Sequence, residues 1–523
     1  MTPATQTAPS SYDAVPYESL PFSQSHPDRL ATLGHLFGLQ PAALANCRVL
    51  ELGCAAGGNL IPMALTLPGA QFVGVDLSLV QVAQGQQVIR DLGLRNITLL
   101  ARSITDLDAS IGRFDYILTH GVYSWVPDAV QQKILSLCAS HLSASGIAYV
   151  SYNTLPGWRM RGMVRDLMRY HAMQFADLGQ RVGQARGIVN FLAKWVPAQD
   201  NAYGMLLQSE LEGLRNAPDH YILHEHLEDI NEPLYFHQFA QRAADHGLQY
   251  LAEADFSSML ASNLPPEVSE TLQHISSDVI RQEQFMDFLR NRTFRQTLLV
   301  REGLQMQRRV ASERVKALWI SADLSPVNPT PDLKTQREES FSGANGGLLK
   351  TPNPVTKAAM RVLARQWPAA LSFTDLLAQA LALLGKPGEA DDRPDKLNSE
   401  TILASDILQC HVAGLLELHA CPSPFVVAPG DRPLASPLAR WQAANQRSFV
   451  TTLRHEPRQT DTLTGQLLQL LDGTRSLQAI ENALAHSGSP ALPQGDAGSA
   501  RRPAGEPLRG MLDQLARAAL LQA

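Results

Sequence analysis

The chain has 523 residues, of which 45% are hydrophobic and 18% charged, and its formal net charge is −6. That is enough apolar material for three or four domain cores, while the acidic balance argues against a nucleic-acid binder. Five scattered cysteines exclude a disulfide framework and point to a reducing cytoplasm, and no stretch reaches the ~18 uninterrupted apolar residues of a spanning helix.

The N-terminal stretch "MTPATQTAPSSYDAVPYESLPF" lacks a basic region followed by an apolar core, so it is not a signal peptide, and it reads as flexible. "HPDRLATLGHLFGL" (26–39) is amphipathic at helical spacing. From 48 to 152 five short apolar runs, "RVLELG", "QFVGVD", "ITLLA", "FDYILTH" and "IAYVSY", alternate with helical patterns at 58–66, 79–92 and 128–142. Alternation of this kind predicts crossover connections and a mostly parallel sheet. Residues 157–219 are a helical insertion that offers a face for a homodimer. In 220–303 helices surround "GLQYLAEA", which fits a late strand of the same sheet. Residues 304–354 read as a helix followed by a Pro/Gly/Ser-rich linker. Three helices followed by strands in 355–430 suit a winged-helix unit, and 431–523 a further domain of similar kind with a disordered segment near 485–507. No Lys or Arg occurs between 399 and 418, so the third helix lacks the basic face of a DNA reader.

The stretch "VLELGCAAGGNLIPMA" (49–64) is an apolar strand, an acid, a small-residue turn and a helix. Its spacing, Glu51-x-Gly53-x-Ala55-x-Gly57, brings bare backbone up to a ligand but is not the pyrophosphate-binding G-x-G-x-x-G. Asp76 ends the second strand, where a carboxylate accepts both ribose hydroxyls or caps the next helix. Ser103 and Ile104 follow the third strand, at the place of an adenine ring. "FDYILTHGVYSWVP" ends the fourth strand with His120, Tyr123 and Trp125. All four lie beyond carboxyl strand ends, where open α/β sheets bind ligands. Tyr123, Trp125, Tyr152 and Trp158 are candidate walls of an aromatic acceptor pocket or core residues, and Asn153 orients an acceptor or closes a turn. "HEHLEDINEP" (224–233) and the group Cys410, His411, His419, Cys421 match no standard metal spacing, and no metal is expected.

With these motifs in view, "ELGCAAGGNLIPMA", "VGVDLS", "FDYILTHGVYSWVP" and "SYNTLPGW" resemble class I S-adenosylmethionine-dependent methyltransferases. "NEPLYFHQFAQRAADHGLQYLAEADF" and "EQFMDFLRNRTFRQTLLV" are similar to the methyltransferase regulatory domain of one subgroup, which includes bacterial protein-lysine methyltransferases of an outer-membrane protein. The resemblance covers roughly residues 12–303. It implies a Rossmann-like core over 1–156 with S-adenosyl-L-methionine as cofactor and a protein substrate. It further implies that Glu51, Gly53, Ala55 and Gly57 contact the methionine part of the cofactor, that Asp76 with Leu77 beside it holds the ribose, and that Ser103 and Ile104 flank adenine. By the same resemblance His120 lies near the sulfonium and Tyr17 folds over the cofactor. Many relatives have glycine at Ala55, whose methyl is tolerated if its φ stays negative. The expected catalytic set is His120, Tyr123, Trp125, Tyr152 and Asn153, and the expected reaction is methyl transfer to protein lysine. A small-molecule methyltransferase and a non-catalytic cofactor-binding protein are the alternatives.

Overall fold

In a computed structural model, residue 15 and residues 18–385, 396–486 and 506–522 are described. Seven strands form the central sheet: β1 Arg48–Leu52, β2 Gln71–Asp76, β3 Ile97–Ala101, β4 Phe114–Thr119, β5 Leu142–Asn153, β6 Leu248–Glu253 and β7 Phe294–Arg301. Their order is β3-β2-β1-β4-β5-β7-β6. β1 to β5 are parallel, and β7 runs antiparallel between β5 and β6. β1 is buried on both faces, which is why "VLEL" reads as a continuous run rather than an alternating one. Its period of two still sorts the side chains: Val49 packs with Leu60, Met63 and Val82 of the helices on one face, Leu50 and Leu52 with Ile134 and Leu137 on the other. Sheet order reverses between β1 and β4, so the ends of β1 and β4 diverge there and open the ligand crevice.

Helices Gly157–Ala172, Leu178–Trp195 and Ala202–Arg215 pack around Val164, Met168, Val189 and Leu207, a core separate from the sheet. A buried ion cluster ties helix Val279–Arg290 to the sheet: Arg295 of β7 donates to Glu253 of β6 at 2.7 Å and to Glu283 and Asp287 of the helix at 2.8–2.9 Å.

Residues 324–354 differ from the expected linker. Leu324–Pro326, Glu339–Gly343 and Leu348–Thr351 form a three-stranded antiparallel sheet. Gly346, at φ +80°, makes the turn between the last two, and the buried Lys357 ammonium donates to the Thr335 and Arg337 carbonyls, both at 2.8 Å. Strands of three to five residues are too short to show a period, so their Pro and Gly punctuation dominated the reading.

Helices Pro354–Gln366, Phe373–Leu384 and Lys396–Val412 pack against the small sheet of Trp319–Ser321, Leu371–Ser372 and Glu417–His419. His419 engages Asp28 and Ser321 through its two ring nitrogens, and His411 bonds the Leu416 carbonyl. The C-terminal unit gathers four helices around Ala439, Leu467, Ile480 and Leu512. Most of the segment 485–507 lies outside the described residues, as does Tyr17. Residues 18–25, expected to be flexible, lie against the core: the Ser19 hydroxyl accepts from Gly58 N–H and Asn59 Oδ1 from Phe22 N–H. Among the described residues no helix is long and apolar enough to cross a membrane.

Candidate active site

The turn after β1 is built on three left-handed residues, Gly53 (φ +78°), Ala55 (φ +48°) and Gly57 (φ +74°). A Cβ on Gly53 would stand 2.3 Å from Val122 of the loop after β4, so glycine is required there on two counts. Ala55 overturns the expectation of a negative φ. Its methyl sits in a region that costs an L-residue roughly 1–2 kcal/mol, and its N–H is held at 2.8 Å by Asp76 Oδ2. The other Asp76 oxygen accepts from Ser78 N–H at 2.9 Å. Ser78, not Asp76, caps the following helix, through a bond from Gln81 N–H. Asp76 therefore clasps the glycine turn to the end of β2, while exposed Leu77 forms the rim.

Glu51 is buried at the end of β1. Its Oε1 accepts from Asn59 Nδ2 at 2.7 Å, and Oε2 has no hydrogen-bond partner among the described residues. Burial pushes its pKa up to about 8, opposed by the Asn59 bond and assisted by the charge of Asp76. Its second oxygen is therefore free to meet a ligand's donor, and an ionised Glu51 would suit a cationic one. Ser103 caps the short turn Ile104–Asp106, and half-buried Ile104 packs on the same apolar cluster as Val122.

His120 closes β4. Its Nδ1 lies 2.8 Å from the Tyr149 hydroxyl, Phe22 stacks on it at 3.7 Å between ring centroids, and Phe294 meets it edge-on at 6.0 Å. Burial lowers its pKa to about 4, so the imidazole is neutral at physiological pH. Phe22 and Tyr149 were absent from the expected set. Tyr149 was findable, because strand alternation puts it on the same face as Ser151, whose hydroxyl accepts from Gly121 N–H at 2.8 Å.

Two expected pocket walls lie elsewhere, Tyr152 by strand alternation and Tyr123 by the turn after β4. Tyr152 points to the opposite face, stacks on Phe239 at 4.0 Å and bonds Thr297 at 3.1 Å; Tyr123 meets Phe239 edge-on, and both are fully buried. They are core residues. Trp158 is buried too, edge-on to Trp125, which remains half-buried in the loop after β4. Asn153 is buried and bonds Asn231 at 3.0 Å, joining the end of β5 to the chain that leads into residues 231–234. His224 is engaged by Glu228 and the Val15 carbonyl.

Known proteins resemble this chain along most of its length. Family models match over residues 43–206 (methyltransferase domain), 218–301 (predicted methyltransferase regulatory domain) and 431–520 (PKMT, C-terminal winged helix domain). The solved structure of PKMT2 from Rickettsia typhi in complex with AdoHcy is 31% identical and superposes with a TM-score of 0.85 over 97% of this chain and 100% of its own. The chain belongs to this family of S-adenosylmethionine-dependent methyltransferases. Another relative is protein RP789 of Rickettsia prowazekii, 38% identical over 479 residues, 90% of this chain and 85% of its own length. A second R. prowazekii protein, RP028, is 42% identical over 233 residues, 45% of this chain and 93% of its own. The match to the regulatory domain contains β6 and β7, so that domain completes the catalytic sheet instead of standing beside it.

Proposed function

We propose that this methyltransferase modifies lysine side chains of a protein substrate in the cytoplasm. The observation that carries the reading is the match to PKMT2 along nearly the whole chain, including the units beyond the methyltransferase core. Five free cysteines suit a reducing compartment.

S-adenosylmethionine supplies an electrophilic methyl on a positively charged sulfur, released to a neutral amine by in-line displacement. The residues present fit that molecule. Glu51 Oε2, buried and unsatisfied, is the acceptor for its ammonium. The left-handed turn of Gly53, Ala55 and Gly57 would carry the amino-acid part. Asp76 takes the ribose hydroxyls, and Ser103 with Ile104 the base. Neutral His120 stands near the sulfonium without like-charge repulsion. Trp125 walls the acceptor channel, where a partly dry aromatic environment favours the neutral lysine amine and attracts methylammonium products. With the cofactor bound, the lysine Nζ lone pair would form the N–C bond as the S–C pair returns to sulfur, leaving S-adenosylhomocysteine, and the excess proton on nitrogen would pass to water. Positioning, which excludes water and aligns donor with acceptor, supplies most of the acceleration.

The helical insertion is proposed as a self-association face: Tyr170, Phe191 and Trp195 are exposed there. Its solution mass by light scattering should be that of a dimer. The activity is tested with tritium-labelled S-adenosylmethionine and bacterial lysate. Label on lysines of discrete proteins is expected, and label confined to small molecules would reject the protein substrate. Asp76→Ala should weaken cofactor binding about 10- to 100-fold, the loss of one or two charge-assisted hydrogen bonds.

A further inference from the structure

The C-terminal winged-helix unit sends one side chain into the cofactor site. His455 is buried at a left-handed position (φ +62°) in the turn Thr452–His455, and its Nε2 lies 2.7 Å from Asn59 Oδ1. Direction along this bond is settled by chemistry. The same Oδ1 accepts from Phe22 N–H at 2.9 Å, and a backbone amide only donates, so Oδ1 is the carbonyl end and Nε2 must carry a hydrogen. The amide nitrogen of Asn59 then faces the other way. It donates to Glu51 Oε1 at 2.7 Å and to Ser25 Oγ at 3.0 Å. The short polar contacts of Asn59 are thereby ordered: His455 and Phe22 give to its oxygen, and its nitrogen gives to Glu51 and Ser25.

We infer that His455 is a positioning residue of the C-terminal unit for the cofactor site, locking the Asn59 amide so that Glu51 presents its second oxygen to the amino-acid end of S-adenosylmethionine. This rests on the assignment of Glu51 to the cofactor ammonium. A donor given to Oδ1 polarises the amide and strengthens its opposite N–H, since hydrogen bonds in series reinforce one another in a dry interior. Without His455 the amide oxygen keeps Phe22 N–H but loses its shortest donor, and the bond from Asn59 that fixes the Glu51 carboxylate is weakened.

The test compares His455→Leu, which removes the donor, with His455→Gln, whose amide N–H reaches the place of Nε2. Calorimetric titration with S-adenosylhomocysteine should show about tenfold weaker binding for His455→Leu, with His455→Gln within about threefold of the parent; tenfold is about 1.4 kcal/mol. The second ligand is 5′-methylthioadenosine, which lacks the amino-acid part. Its affinity should not change in either variant. Turnover at saturating cofactor should stay within about twofold, so that the loss appears in KM. Trp441→Phe, at another contact of the same unit with the core (Trp441 Nε1 to Asp91, 3.0 Å), should leave all of these unchanged. Equal affinities for His455→Leu and the parent, or equal weakening of both ligands, would overturn the inference. If His455→Leu does not fold, His455→Asn replaces it, because asparagine accepts left-handed backbone but is too short to reach Asn59. Glu51→Gln separates the two readings. If it leaves S-adenosylhomocysteine affinity intact, the Glu51 assignment itself falls; if it weakens binding while His455→Leu does not, only the link from His455 falls.

Discussion

Glu51 joins burial to ligand binding in a way that pH exposes. Its carboxyl, pushed up to about 8, holds a proton in the free protein at neutral pH. Binding an ammonium requires the carboxylate, so cofactor binding must release that proton. Affinity should therefore rise with pH towards about 8, by at most about tenfold per unit, and fall again at higher pH as the cofactor's own ammonium loses its proton. Titration calorimetry at pH 7 in buffers of different ionisation enthalpy should register the released proton, and Glu51→Gln should abolish both effects. Ala55 makes a second prediction at this scale. Valine at φ +48° is a steric outlier where alanine is only strained. Ala55→Val should break the Ala55–Asp76 clasp and weaken cofactor binding at least tenfold, whereas Ala55→Gly should keep it. A valine variant that binds normally would show that the turn is not held as described.

At the scale of elements, β6 and β7 depend on an ion cluster rather than on apolar packing alone. Arg295 is wholly buried among Glu253, Glu283 and Asp287, with its guanidinium over Phe236 at 3.8 Å. Arg295→Met would leave three buried carboxylates with only Arg292, at 3.4 Å from Asp287 and 3.9 Å from Glu253. The expected destabilisation is about 3–5 kcal/mol at pH 8 by urea denaturation. It should shrink towards pH 5, because Glu283, raised to about 7 mainly by burial, takes up a proton in that range and sheds its unpaired charge. A loss independent of pH would mean that shape, not charge, is what Arg295 contributes. The strand pattern "GLQYLAEA" announced β6, but nothing in it announced the partner order, since the antiparallel insertion of β7 pairs residues far apart in the chain, as Tyr152 with Arg295 and Val150 with Thr297 show.

At the scale of the molecule, the units meet through side chains that no local pattern marks. Arg454 of the C-terminal unit bonds Glu417 at 2.7 Å and stacks over Trp367 at 4.4 Å, fastening that unit to the middle one. Ser448 reaches Glu18 of the N-terminal segment, and His455 reaches Asn59. Residues 18–26 are thus gripped between the C-terminal unit and the glycine turn, which is why a segment poor in helix or strand signals is nonetheless ordered. Its hydrogen bonds go to side chains far along the chain. Arg454→Ala should speed amide exchange in residues 18–26 and 449–459 together. Faster exchange in only one of them would show that the two do not move as a unit.

The sequence by itself determined the elements of the core and the chemistry of its turn. A parallel strand buried on both faces is apolar wherever no function places a polar group, as at Glu51, and a backbone that approaches a ligand must be nearly bare, so both leave local signals in "VLELGCAAGG". Tertiary structure decided which aromatic residues face the site and which fill the core. That choice turns on strand face and on distant partners: Tyr149 against His120, Tyr152 against Phe239. It also decided that Phe22 and His455 belong with the cofactor turn at all, because contact between residues some 37 and 396 positions from Asn59 follows from packing and from no periodicity in the chain.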